Sequence, residues 1–220
     1  MKLKSFGCSF IFGTDLADDG RTGPYATGSQ LTWPALLAKD LGYEYQTYAR
    51  PGAGNLQILE RLMKRAIDDA PAVFVIGWSF IDRFDYIRDD YEQWPGTPWK
   101  TVLLHENNSV TECYYKHFNS QIKDKLTTLL YIKTAIDFLK QKDIPFIMTY
   151  ADPLIFETEW HTNSLIQHLQ DYVRPYMSTF DGKTFLEFAR INGHPISATS
   201  HPLESAHRSA AELIRSYNLL

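Results

Sequence analysis

Two rhythms of apolar and polar positions alternate along the chain, and together they predict its elements. Residues 2–8 are short and largely apolar, which predicts a first strand. A run of turn formers follows (Gly13, Asp18, Asp19, Gly20, Gly23, Pro24, Gly28) and predicts a long loop. Thr32, Trp33 and Pro34 then open a helix carrying Leu36, Leu37 and Leu41 and closed by Gly42. Residues 43–49, rich in Tyr and Thr, read as a second strand. The turn Pro51-Gly52-Ala53-Gly54 leads to a helix over 55–69, with Leu56, Leu59, Leu62, Met63 and Ala66 on one face. Ala72 to Gly77 is apolar on both faces, as a buried parallel strand must be. From Trp78 to about Glu112 the periodicity dissolves into aromatics, acids and prolines. It returns in a helix over 119–141, a fourth strand over 144–150, and helices near 163–172, 183–191 and 204–218.

Strands alternating with helices of this length imply right-handed crossovers and a sheet covered on both faces. The expected fold is a single α/β domain over residues 1–220: a flavodoxin-like three-layer sandwich. Its parallel sheet has four to five strands with the first one central, and an aromatic-rich insertion sits at about 78–118. In such sheets ligands bind beyond the carboxyl ends of the strands. Chemistry is therefore expected just after residues 8, 49, 77 and 150.

Composition adds mainly exclusions. Net charge is −4, from 22 basic and 26 acidic residues mixed along the chain. No basic stripe suggests nucleic acid and no polybasic helix suggests an anionic membrane. No apolar run approaches the ~20 residues a membrane span requires. Cys8 and Cys113 cannot build a disulfide framework and match no metal-ligand spacing, so no metal or cofactor is expected and a reducing cytoplasm is the expected location. Oligomeric state is not legible.

Three short segments follow predicted strand ends, Gly7-Cys8-Ser9-Phe10 with Gly13, then Pro51-Gly52-Ala53-Gly54-Asn55, then Gly77-Trp78-Ser79 with Asp82-Arg83; a fourth, Ser200-His201-Pro202, stands before the last helix. In this order they resemble the four blocks of the SGNH (GDSL-like) hydrolase superfamily. The opening Gly-Cys-Ser-Phe-x-x-Gly resembles the variant found in phage and bacterial members. The resemblance implies a serine ester hydrolase with Ser9 as nucleophile and His201 as base. It implies Gly52 and Ser79 as donors to an oxyanion and a small-molecule ester as substrate; the aromatic insertion alone suggests a carbohydrate ester. Arg83 is expected either to meet an anionic or polyhydroxyl substrate or to pair with Asp82 or Asp85. Trp78 is the other candidate for substrate binding. The aromatics of the insertion fit sugar stacking, a lid, a subunit interface or a second small core equally well. His207 reads as packing and Cys8 as core filler; His194-Pro195 repeats the dipeptide at a less fitting distance from the last helix.

Two departures from the family pattern matter. Ser79 stands where the family has an asparagine, and losing one such donor costs ~10²–10³ in rate. Ala198 and Thr199 stand where an acid should orient the histidine. Asp152, Glu204 or a backbone carbonyl are the expected substitutes. The alternative reading is a catalytically degenerate member kept for binding or assembly.

Overall fold

The computed structural model describes residues 1–20, 27–68, 72–87 and 99–219. In chain order the elements are β1 (Lys2–Gly7), α1 (Ser9–Phe12), α2 (Trp33–Asp40), β2 (Glu44–Thr47), α3 (Asn55–Asp68), β3 (Ala72–Trp78), β4 (Phe84–Ile87), β5 (Trp99–Val102), α4 (Ser109–His117), α5 (Gln121–Gln141), β6 (Phe146–Tyr150), α6 (Ser164–Val173), α7 (Phe185–Ile191) and α8 (Glu204–Ser216). The main sheet runs β2-β1-β3-β6 with every neighbouring pair parallel, so β1 lies inside it. This is the expected flavodoxin-like sandwich with four strands. Met177 adds a single parallel bridge to Met148 beyond β6, not a fifth strand.

The described part of the segment where periodicity dissolves holds regular elements. Within 78–118, β4 and β5 form an antiparallel hairpin and α4 follows, capped by Asn108. Its aromatics pack face to face instead of following one period, as when Phe84 stacks on Tyr114 at 4.7 Å. That packing hides the periodicity from sequence. Residues 88–98, with Tyr91 and Trp94, lie outside the described residues.

Side chains alternate across the sheet and divide the core in two. Phe6, Phe74, Ile76, Trp78 and Met148 face α3, α5 and α6, while Leu3, Val75 and Ile147 face α1, α2, α7 and α8. Each fully buried Leu or Ile stabilises the fold by roughly 1.5–3 kcal/mol. Among the described residues no helix is long and apolar enough to cross a membrane.

Two glycines set the place of α1. Gly7 and Gly77 are partners in the β1–β3 register. A methyl group on Gly7 would stand 2.6 Å from Ile11 Cγ1 and 2.9 Å from the Gly77 carbonyl oxygen; one on Gly77 would stand 2.5 Å from Ile11 Cγ1. Helix α1 can lie directly over the strand ends only because both partners lack a side chain. The last helix is tied in differently. The fully buried His207 accepts a hydrogen bond from Trp33 N–H at 3.0 Å, at the start of α2, and its ring donates to the backbone carbonyl of Pro202. Burial pushes this imidazole down to about 3, helped by the nearby His201 and opposed by the bond to Pro202.

Gly77→Ala is expected to cost about 1–3 kcal/mol through overpacking against Ile11, read as a lower urea midpoint with unchanged slope. The depressed His207 makes stability depend on pH. Between an unfolded value of 6.5 and a folded value of about 3, the unfolded chain binds the extra proton. Stability should therefore fall as pH drops through that window. His207→Gln, which keeps an acceptor for Trp33, should flatten the urea midpoint against pH there.

Candidate active site

The first three segments leave the sheet at one level. Beyond Thr47 the β1–β2 ladder continues, with Tyr48 N–H donating to Ser5 O and Arg50 N–H to Gly7 O, while Gly7 pairs with Gly77. Ser9, Gly52 and Ser79 each lie a few residues past these points. Ser9 opens α1 after the extended Cys8, whose own side chain is buried. Ser9 keeps 8% of its surface exposed, and its hydroxyl makes no hydrogen bond among the described residues. Its amide belongs to the first turn, where helical N–H groups have no intrahelical partner.

His201 comes to the first segment through two contacts. Its ring meets Phe10, the neighbour of Ser9, edge-on at 5.6 Å. Its Nδ1 lies 2.9 Å from Oδ2 of Asp15, on the loop just beyond α1. Among the described residues Ser9 and His201 share no hydrogen bond. The Asp15 oxygen also accepts from Ser197 Oγ at 2.7 Å and from the Thr199 hydroxyl. Burial alone would raise the Asp15 carboxyl. The bonds from Thr199, Ser197 and His201, with the charge of His201, overcome that and hold it well below the usual carboxylate range. An ionised acceptor at Nδ1 puts the ring proton on that nitrogen and leaves Nε2 as the basic one.

The acid is thus neither of the two carboxylates expected from sequence. Asp152 is buried, capping a turn, and accepts from Ile81 N–H and Leu154 N–H, both at 3.0 Å. Burial pushes it up despite those bonds. Glu204 accepts from Ala17 N–H at 2.9 Å and so steadies the loop that carries Asp15. The signal for Asp15 was present: hydroxyls on both sides of Ala198, and an acid shortly after Ser9. Nothing in the spacing joined two segments from opposite ends of the chain.

Gly52 is half-buried in a turn closed by Ala53 N–H to Arg50 O at 3.2 Å, with φ of 77°. Its own N–H makes no hydrogen bond among the described residues. Ser79 is fully buried, and its hydroxyl accepts from Arg83 Nη1 at 2.8 Å, which leaves the hydroxyl proton unassigned. Asn55 ties the second segment to the third: its Oδ1 accepts from Ser79 N–H at 2.7 Å and its Nδ2 donates to Ser79 O at 3.3 Å. Arg83 pairs with neither Asp82 nor Asp85; its Nη1 also donates to Ala53 O at 3.0 Å, and its guanidinium lies over the Phe80 ring at 5.0 Å. Trp78 does not reach the cleft. It is fully buried among the α3, α5 and α6 side chains because β3 turns it to that face. Its role is packing, and it is removed from the substrate-binding candidates. Among the described residues no three His, Cys, Asp or Glu side chains are grouped to hold a metal.

No family model matches the chain, and no curated protein does. Solved structures do. A lipolytic protein of the G-D-S-L family from Veillonella parvula is 14% identical, with 98% of this chain and 97% of that one covered at a TM-score of 0.52. The acetylxylan esterase Axe2 from Geobacillus stearothermophilus is 12% identical over 98% and 92%, with a TM-score of 0.54. The esterase EstA from a Pseudoalteromonas species is 11% identical over 99% and 98%, at 0.50. At these identities the likeness is one of architecture: the chain has the fold of the GDSL lipolytic proteins and esterases.

Proposed function

We propose that this protein is a serine ester hydrolase in which Ser9, His201 and Asp15 act together on a small-molecule or carbohydrate ester. The observation that carries the reading is the Asp15 carboxylate 2.9 Å from His201 Nδ1. A histidine without an acceptor there would be a poor base; an ionised acid there fixes the needed tautomer and stabilises the imidazolium that forms. The likeness in fold to G-D-S-L proteins and an acetylxylan esterase supports the same reading and the substrate class.

In this mechanism His201 Nε2 takes the Ser9 proton as Oγ attacks the acyl carbon. The carbonyl oxygen becomes an oxyanion, met by the amides of Ser9 and Gly52 and by the Ser79 hydroxyl proton. Arg83 polarises that hydroxyl by donating to its oxygen, which offsets part of the loss of a carboxamide. Collapse expels the alcohol, which takes the proton from His201. Water then attacks the acyl-serine with His201 as base, releasing the acid and restoring Ser9.

The degenerate-member reading rests on Ala198 and on Ser79 in the place of an asparagine; the Asp15 carboxylate at His201 Nδ1 speaks against the first of these. Purified protein should hydrolyse a short-chain aryl ester and be labelled by a fluorophosphonate probe. Ser9→Ala should abolish both with little change in melting temperature, and Asp15→Asn should lower kcat by about 10²–10⁴-fold. Equal slow hydrolysis by wild type and Ser9→Ala, together with no labelling, would return the protein to the binding-module reading.

A further inference from the structure

The insertion after β3 grips one peptide group of the second segment from both sides. The carbonyl of Ala53 accepts from Arg83 Nη1 at 3.0 Å, and the N–H of Gly54, the other end of the same peptide, donates to Asp85 Oδ1 at 3.1 Å. Arg83 and Asp85 stand two apart where β4 begins, so both reach toward the same loop. Asp85 is 7% exposed and is held in turn. Thr101 Oγ1 on β5 donates to its Oδ1 at 2.7 Å, as does Gln57 Nε2 at 2.9 Å, and Gln57 N–H donates to its Oδ2 at 3.0 Å. Gly54 is required by this approach, because a methyl group there would lie 2.6 Å from both carboxylate oxygens. Leu103, just past β5, covers Gly52, with its Cδ1 3.4 Å from where a Cβ would be.

What the grip controls is the neighbouring turn. Gly52 is the third residue of the Arg50–Ala53 turn, and its φ of 77° is the value of a type II turn. Type I and type II turns differ by a flip of their central peptide, the one that presents the Gly52 N–H. Flipping it requires Gly52 to swing to negative φ while Ala53, whose N–H closes the turn on Arg50 O, keeps its place. The clamp lies one peptide further on, at Ala53–Gly54, and fixes the last residue of the turn from its carbonyl side.

We propose that Arg83 and Asp85 are positioning residues that hold the Gly52 N–H toward the cleft, so that the insertion completes the oxyanion site from outside the main sheet. This rests on the hydrolase reading above for its catalytic consequence, but not for its structural one. Asp85→Asn keeps an acceptor for one N–H and loses the other. It should lower kcat on a short-chain aryl ester by about 10–100-fold, with KM within about twofold. Thr101→Val, which removes one donor to Asp85, should act in the same direction and more weakly, and serves if Asp85→Asn fails to fold. In the 15N-labelled full chain, Asp85→Asn or Thr101→Val should shift the Gly52 amide resonance and speed its hydrogen exchange. A rise in KM at constant kcat would make the insertion a substrate-binding element and overturn the proposal. So would an unchanged Gly52 amide in a folded variant. If wild type hydrolyses no ester, the hydrolase reading fails by itself, and the Gly52 amide still decides the clamp.

Discussion

The Asp15 carboxylate draws donors from residues 197–201 onto a loop near the start of the chain, and the candidate site takes its shape from that meeting. Ser197, Thr199 and His201 all converge on one oxygen. Such a group is costly to bury unless its lone pairs are filled, and here they are filled by the segment that must be held. The segment is folded tightly for the purpose: Ser197 N–H donates to His201 O at 2.9 Å, His201 N–H to Ser197 Oγ at 3.1 Å, and Ser200 takes a positive φ of 67°. Asp15 itself takes a φ of 70°, with its N–H on the Asp19 carboxylate at 2.8 Å. Two short strained turns thus lock to each other, and each is anchored to the core separately: one by α1 over Gly7 and Gly77, the other by His207 and Trp33.

Much of this architecture was legible because periodicity reports burial. The Ala72–Gly77 run and the Leu and Ile stripes of the 55–69 and 119–141 segments face a core, and the strands and helices fell within a few residues of where the pattern put them. The insertion was not legible. In its hairpin and α4, Phe84 and Tyr115 pack on Tyr114, and of the three only Tyr114 is buried, so no single face repeats. At the candidate site, Ser9, Gly52 and Ser79 could be proposed because they follow strand ends, and His201 because it precedes a proline before the last helix. Asp15 could not, since its partner lies at the other end of the chain and no local rule couples a loop aspartate to hydroxyls there. Trp78 misled for the opposite reason. A tryptophan beside a strand end looks like a stacking platform, and only the facing of β3 shows that it is core.

Ser79 in place of an asparagine and Ala198 in place of an aspartate look like two independent losses in sequence. In three dimensions each place has a polar neighbour: Arg83 Nη1 donates to the Ser79 hydroxyl, and Asp15 accepts from His201 Nδ1. Both neighbours come from segments that serve another structural purpose as well. Asp15 belongs to the loop held by Glu204, and Arg83 to the start of the hairpin that Asp85 docks onto α3.

The account stands on the tautomer of His201. Its 15N imidazole shifts, followed from pH 5 to 9 in wild type and in Asp15→Asn, read that directly. With Asp15 in place, neutral His201 should carry its proton on Nδ1, with a deshielded Nδ1 proton and an unprotonated Nε2, and Asp15→Asn should weaken that signature. A wild-type ring protonated on Nε2, or one whose shifts are unchanged by Asp15→Asn, would contradict the assignment of Asp15 as the orienting acid.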